Sequence, residues 1–323
     1  MSIGLGDRLG DMLRCAAQVE TRGAGRWQLA LDVAPAVIVD AHLDDAWLCL
    51  AAPVARAPHV AVLVPPERRA GCADRPSTGR ADLLRRNGEL GGGVKFAYAE
   101  SPDATALELR AEIPLDDEPT VVSRRIAEAC AAFGSVLAAG TPGAEHATAS
   151  GGDTPLDLST PLVASGWPVT ERADGSFCVD LGVPDAFFQA EIALRGRATR
   201  VAVALPLVAD AEQVCREALG LLLLNAAGVV RMARPALTAG APEFQVVVAG
   251  GPSAIEIGHA LSALAVACRL FGREVEVVQR SAVVAAQYCA VHARRTETRR
   301  GDACVAPTHV SDVGAAEEGV CRV

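Results

Sequence analysis

The pair Asp116-Asp117 and the segment ESPDAT around Asp103 place carboxylates where strands are expected to end. Two neighbouring carboxylates can divide the work of a general acid and a general base. The same residue types also make turns and helix caps. Asp117, followed by Glu118 and Pro119, reads as the cap of a helix. A second candidate is VVVAGGPSAIEIGHAL, Val246 to Leu261, which has the strand, glycine turn and helix start of a phosphate site. It lacks both G-x-G-x-x-G and the P-loop lysine. The corresponding stretch of the first half, EIPLDDEPT, is acidic and has no glycine. His42, Asp44 and Asp45 are metal-ligating types, but a hairpin turn at Leu43-Asp44-Asp45 accounts for them. Cys304, His309 and Cys321 are irregularly spaced and have no fourth ligand. No serine sits in a G-x-S-x-G elbow. Each candidate has a simpler structural role. The sequence therefore assigns no catalytic, cofactor-binding or metal-binding residue, and the expectation is a protein that is not an enzyme.

Composition narrows the remaining classes. Half of the 323 residues are apolar, enough for two domains with cores of their own, and the formal charge is -9. An acidic chain repels phosphate backbones, so no nucleic-acid partner is expected. The arginines at 68, 69, 75, 80, 85 and 86 read as a solvated loop and helix face. Cys15, Cys49, Cys130, Cys215, Cys268 and Cys289 each sit within an apolar periodic segment, as small hydrophobes rather than disulfide partners. There is no C-x-x-C pair. MSIGLGDRLGDML is not a secretory signal. The longest apolar run, Leu219 to Ala227, falls short of the ~20 residues that span a bilayer. No membrane partner and a cytoplasmic location follow as expectations.

Periodicity gives the elements. Leu5, Leu9, Met12, Leu13, Ala16 and Ala17 share one face of a helix. Strands are expected at 27–33, 36–43 and 46–52, with a further run at 59–64. A loop follows at 65–79, a short helix at 80–87, and strands at 94–100 and 106–113. The helix after Asp117 turns Val122, Ile126, Cys130, Phe133 and Leu137 inward. The second half repeats the order. A helical run spans 156–166, and strands are expected at 176–181, 186–194 and 199–208. A helix runs from Asp210 to Leu224, strands cover 229–237 and 243–249, and Ser253 with Glu256 forms a capping box that opens a long helix. Apolar residues to Ala293 extend that helix or form another.

The halves match in residues as well. At an offset of 138, Leu83, Leu84 and Asn87 meet Leu221, Leu222 and Asn225. Cys130, Phe133 and Gly134 meet Cys268, Phe271 and Gly272. This register is expected to hold without a gap through two strands and a helix. Towards the front the offset is about 12 larger, bringing Gly25 to Gly175. The expected organisation is a first α+β domain at 1–139, a linker at 140–155, a second domain with a helical extension at 156–293, and a disordered tail at 294–323.

The segment LLRRNGELGGGVKFAYAESPDATALELRAEIPLDDEPTVVSRRIAEACAAFG, with its short leucine-rich helix, two strands and closing helix, resembles the type III secretion chaperone and YbjN-like domain family. The resemblance covers Met1 to Ala139 and, less closely, Leu156 to Gly272. It implies an α+β fold in which each domain runs α-β-β-β-α-β-β-α, with an antiparallel sheet packed on helices. It also implies a protein or peptide client bound along the sheet, with a tandem pair standing in for a chaperone homodimer and homo-oligomers possible. A strand edge with shallow apolar pockets suits an extended peptide. Trp47, Phe187 and Phe188, aromatic residues on front-sheet strands, are the candidate peptide-binding residues. Phe187 and Phe188 should point to opposite faces of their strand. A structural or assembly scaffold is the alternative, and an uncharacterised enzyme or small-ligand-binding protein is third.

Overall fold

The computed structural model of the chain describes residues 5–33, 36–54, 78–99, 107–139, 157–184 and 186–303. In the first half, α1 (Leu5–Ala16) precedes four strands: β1 (Gln18–Gly23), β2 (Arg26–Leu31), β3 (Val37–Asp44) and β4 (Trp47–Pro53). Helix α2 (Thr78–Glu89) leads to β5 (Val94–Tyr98), β6 (Leu107–Pro114) and the long α3 (Pro119–Ala139). The second half has the same order. It runs α4 (Ser159–Ala164), β7 (Val169–Glu171), β8 (Phe177–Asp180), β9 (Gln189–Arg195), β10 (Ala198–Ala204), α5 (Gln213–Val229), β11 (Arg234–Thr238), β12 (Ala241–Ala249) and α6 (Ala254–Arg280). A last helix, α7 (Ala282–Ala303), has no counterpart among the described residues of the first half. The fold is α+β, with two antiparallel sheets of identical topology, β1-β2-β3-β4-β6-β5 and β7-β8-β9-β10-β12-β11.

Burial explains the strands. In β2, Trp27, Leu29 and Leu31 alternate inward, and in β3 so do Val37, Val39 and Ala41. They face Leu9 and Leu13 of α1 and Ile126 and Phe133 of α3. Ile192, Val201, Val203, Phe244 and Val246 do the same against Leu162 of α4 and Leu261 and Leu264 of α6. The capping box at Ser253 and Glu256 is present and starts α6.

Several expectations need correction. Among the described residues each half has four strands before its middle helix, not three. β1 reads QVETRG and is solvent-exposed along nearly its whole length, so no apolar alternation betrays it; β7 has only three residues. The cap of α5 is Glu212 rather than the expected Asp210, and the helix continues to Val229, taking the start of the expected strand. Helix α7 runs to Ala303, past the expected boundary at 293. The gapless register also slips: β11 and β12 join through Ala239-Gly240, whereas β5 and β6 are separated by residues 99–106. The expected strand at 59–64, the arginines at 68, 69 and 75, Asp103, the whole linker, and Cys304, His309 and Cys321 lie outside the described residues. Helix α6 is long and apolar enough to cross a membrane by length and composition, contrary to the expectation that no segment approaches that length. Its buried residues, Leu261, Leu264 and Val275 among them, belong to the core.

The halves pack reciprocally. Helix α2 of the first lies on β11 of the second, α5 of the second lies on β5 of the first, and α2 and α5 run against each other. The backbones approach closely: a Cβ on Gly228 of α5 would stand 2.4 Å from the Tyr98 carbonyl oxygen of β5.

The matched glycines share one role. A Cβ on Gly134 of α3 would meet Val33 Cγ1 at 3.1 Å, and one on Gly272 of α6 would meet the Phe188 ring at 2.5 Å. Each lets the residue after an early strand, or before the next, rest on the closing helix. Gly272→Ala should therefore lower stability by about 1–3 kcal/mol in urea unfolding, despite the better helix propensity of alanine. Gly258→Ala, on the same helix with nothing within 4 Å, should raise it by about 0.5–1 kcal/mol. Equal effects of the two would refute the packing role.

Candidate functional site

The described chemistry concentrates at the seam between the halves. Strand β5 carries Lys95, the only lysine in the chain, and it is 0% exposed. Its neighbours Val94, Phe96 and Ala97 are buried too, so the ammonium reaches into the other half. It donates to the carbonyls of Val230 and Ala233 (3.3 Å) in the connection from α5 to β11. It also pairs with Glu112 of β6 at 3.0 Å. Glu112 accepts from the Met232 amide at 3.3 Å, and Arg110 donates to the Gly228 carbonyl at 2.7 Å. Burial pulls the Lys95 pKa below its ordinary value, and Glu112 opposes that pull.

The second half returns the grip. Arg234 of β11, 2% exposed, donates Nη1 to the Val94 carbonyl at 3.0 Å. Gln245 of β12 donates to the Asn87 carbonyl at 3.3 Å. Lys95 thus holds the carbonyl preceding Arg234, and Arg234 holds the carbonyl preceding Lys95. The two are counterparts. Burial, then the neighbouring Arg200, lowers the Arg234 pKa to about 9, with Glu243 opposing.

Further along the seam, Arg125 of α3 pairs in bidentate fashion with Glu256, the capping residue of α6. It also donates to Glu128 (2.6 Å) and to the Ala249 carbonyl (2.7 Å). Burial works against its charge, but Glu256 and Glu128 outweigh it and raise its pKa. Ser253 donates its hydroxyl to Asp117, whose carboxylate also accepts from the Glu118 amide. Asp116 holds His259 Nε2 at 2.9 Å. The expected carboxylate pair thus ties the first half to the start of α6. A cleft of about 40 Å³ opens between Glu112, Arg125, Met232, Val247 and Glu256. That volume suits water; sites for drug-sized ligands begin at roughly 300 Å³.

The three candidate peptide-binding residues are not brought together. Trp47 of β4 lies within the seam: the Arg231 guanidinium stands 5.5 Å from its ring centre, and the His259 ring meets it edge-on at 5.2 Å. Arg231 is itself paired with Asp44. Phe187 and Phe188 sit in the loop before β9, not on a strand. Phe187 is 74% exposed, while Phe188 rests on Gly272. The places on α6 that touch Trp47 and Phe188, His259 and Gly272, are about 20 Å apart along the helix. Of the three residues read as a hairpin turn and not as a metal cluster, His42 and Asp44 lie on β3 and Asp45 in the turn, where its φ is 53°. Among the seven described cysteines Cys15 is exposed, contrary to expectation, while Cys49, Cys130, Cys178, Cys215 and Cys268 are buried. Comparison of the chain with family models, with curated proteins and with solved structures returns no match.

The seam residues Lys95, Glu112, Arg125 and Arg234 escape a reading of motifs, and the capping box finds Glu256 without its partner Arg125. The available signal was a charge inside an apolar strand, as in VKFAY. Lys95→Met leaves the buried Glu112 carboxylate with Arg110 alone, at 3.6 Å, and should cost about 3 kcal/mol; adding Glu112→Leu should recover much of that loss. A double-mutant cycle by urea unfolding measures the coupling, and additive costs would contradict the pairing.

The thiols give a second expectation. Burial pushes Cys49 and Cys130 up to about 11 and Cys268 up to about 12. Folded pKa values above the unfolded value of 9.0 mean stability that is complete below pH 9 and is lost as pH rises through 11–12. Thiol labelling of the folded chain at pH 8, mapped by mass spectrometry, should modify Cys15 and spare these three. Rapid modification of Cys268 would contradict its burial.

Proposed function

We propose that the chain is a non-enzymatic, chaperone-like protein-binding module of the cytoplasm, in which the tandem halves form internally the pair that secretion chaperones make from two chains. The observation that carries this reading is the reciprocal seating of α2 on β11 and α5 on β5. In a true homodimer the same patch serves both partners, and here the same elements do so in tandem. The sheet edges β5 and β11 are taken up by the seam. The opposite edges, β1 and β7, end their sheets. Such an edge can accept an extended peptide as an added strand, and Glu20 and Arg22 on β1 discourage indiscriminate pairing. Phe187, exposed before β9, offers an apolar anchor beside the second sheet.

A scaffold role is the alternative. It draws on exposed Val266, Leu270 and Val277, which share one face of α6. Two measurements on the purified chain separate the readings. With the pair completed internally, light scattering should give the mass of one chain, 33.3 kDa, at all concentrations. A chemically unfolded model client should remain in solution at equimolar chain, and Phe187→Asp should weaken that protection several-fold. Unchanged client aggregation with the wild-type chain would overturn the chaperone reading. Concentration-dependent growth in mass would favour the scaffold.

A further inference from the structure

The seam is symmetric in backbone grip but not in charge. In the first half, Lys95 lies across from Arg110 in the β5–β6 pairing, and Glu112, two residues beyond, supplies its counter-ion. In the second half, Arg234 lies across from Gln245 in the β11–β12 pairing, and the residue two beyond is Val247. The neighbouring strands agree: Glu112 lies across from Cys49 of β4, and Val247 lies across from Arg200 of β10. Where the first half has the carboxylate of Glu112, the second has the apolar Val247, and its second cation is Arg200 of β10 in place of Arg110 of β6.

The result is an unmatched positive charge. Arg200 is paired with Glu243 and donates to Gln245 at 3.0 Å. Glu243 also accepts from the Thr238 hydroxyl, so one carboxylate faces two guanidiniums. Arg234 spends Nη1 on the Val94 carbonyl, while its Nε and Nη2 are buried with no hydrogen-bond partner among the described residues. Those two nitrogens form one edge of the guanidinium, the fork that elsewhere takes an anion through two parallel hydrogen bonds. A buried charge with unused donors is costly unless something neutralises it.

We propose that the Nε/Nη2 edge of Arg234 binds a small monovalent inorganic anion of chloride size, standing in for the carboxylate that Glu112 provides in the first half. One negative charge balances Arg200, Arg234 and Glu243 together. A divalent ion would overcompensate. The site does not depend on the client-binding reading, and its test uses no client.

The experiment melts the full chain at constant ionic strength while chloride replaces sulfate. Saturable binding to the folded state should raise Tm by about 2 °C as the site fills. Val247→Glu, which restores the carboxylate, should abolish the difference between the salts. Arg234→Met, which removes the fork, should abolish it too, so a folding failure in one variant leaves the other to decide. Crystals grown in bromide should show anomalous density within hydrogen-bond distance of the Arg234 fork. Identical melting in the two salts, a chloride response that survives both substitutions, or bromide absent from the fork would each overturn the proposal.

Discussion

A six-stranded sheet has two faces, and each half of this protein brings helices enough for one. Helices α1 and α3 cover the inner face of the first sheet, and α4 and α6 that of the second. The opposite face around β5 and β6, or β11 and β12, is covered in large part by the middle helix of the other half. This constraint makes the seam a core and not a contact between finished domains, which is why a single apolar cluster runs through both halves. It also forces charged groups into places without water. They persist because almost every donor and acceptor there finds a partner, many of them backbone carbonyls of the other half. Carbonyls have fixed positions, so these bonds set the register of one half on the other in a way that apolar contact alone does not.

The duplication left equivalent positions with different work. Asn87 of α2 exchanges two hydrogen bonds with the backbone of Phe96 and closes its helix onto its own sheet. Asn225, its counterpart on α5, instead donates to the Tyr288 hydroxyl of α7. Further along the same helix, the His292 ring lies 6.0 Å from Tyr98 at the end of β5. Helix α7 therefore reaches across the seam.

Much of the fold was legible because burial writes a period into the sequence. The inward rows of β2, β3 and α3, the capping box at Ser253, and the match of Gly134 with Gly272 all follow from local rules. β1 was illegible because a strand exposed along its length has no apolar alternation to read. The gapless register failed because a two-residue hairpin in one copy answers a longer connection in the other, and helix matches on either side conceal the slip. The site was harder still. Trp47 stood out as an aromatic on a front strand, but what covers it, Arg231 and His259, lies some 200 residues away in the chain. Lys95 and Arg234 are ordinary residues singly; their meaning lies in each holding the carbonyl beside the other.

Joining the halves in one chain changes what dilution can do. Two separate subunits with this seam would part at low concentration, since their pairing would follow mass action. A covalent connection holds each half near the other at an effective concentration on the order of millimolar. The interface therefore stays closed when only a few molecules are present. It also frees the two copies from identity, because a change on one outer surface need not be accepted on the other.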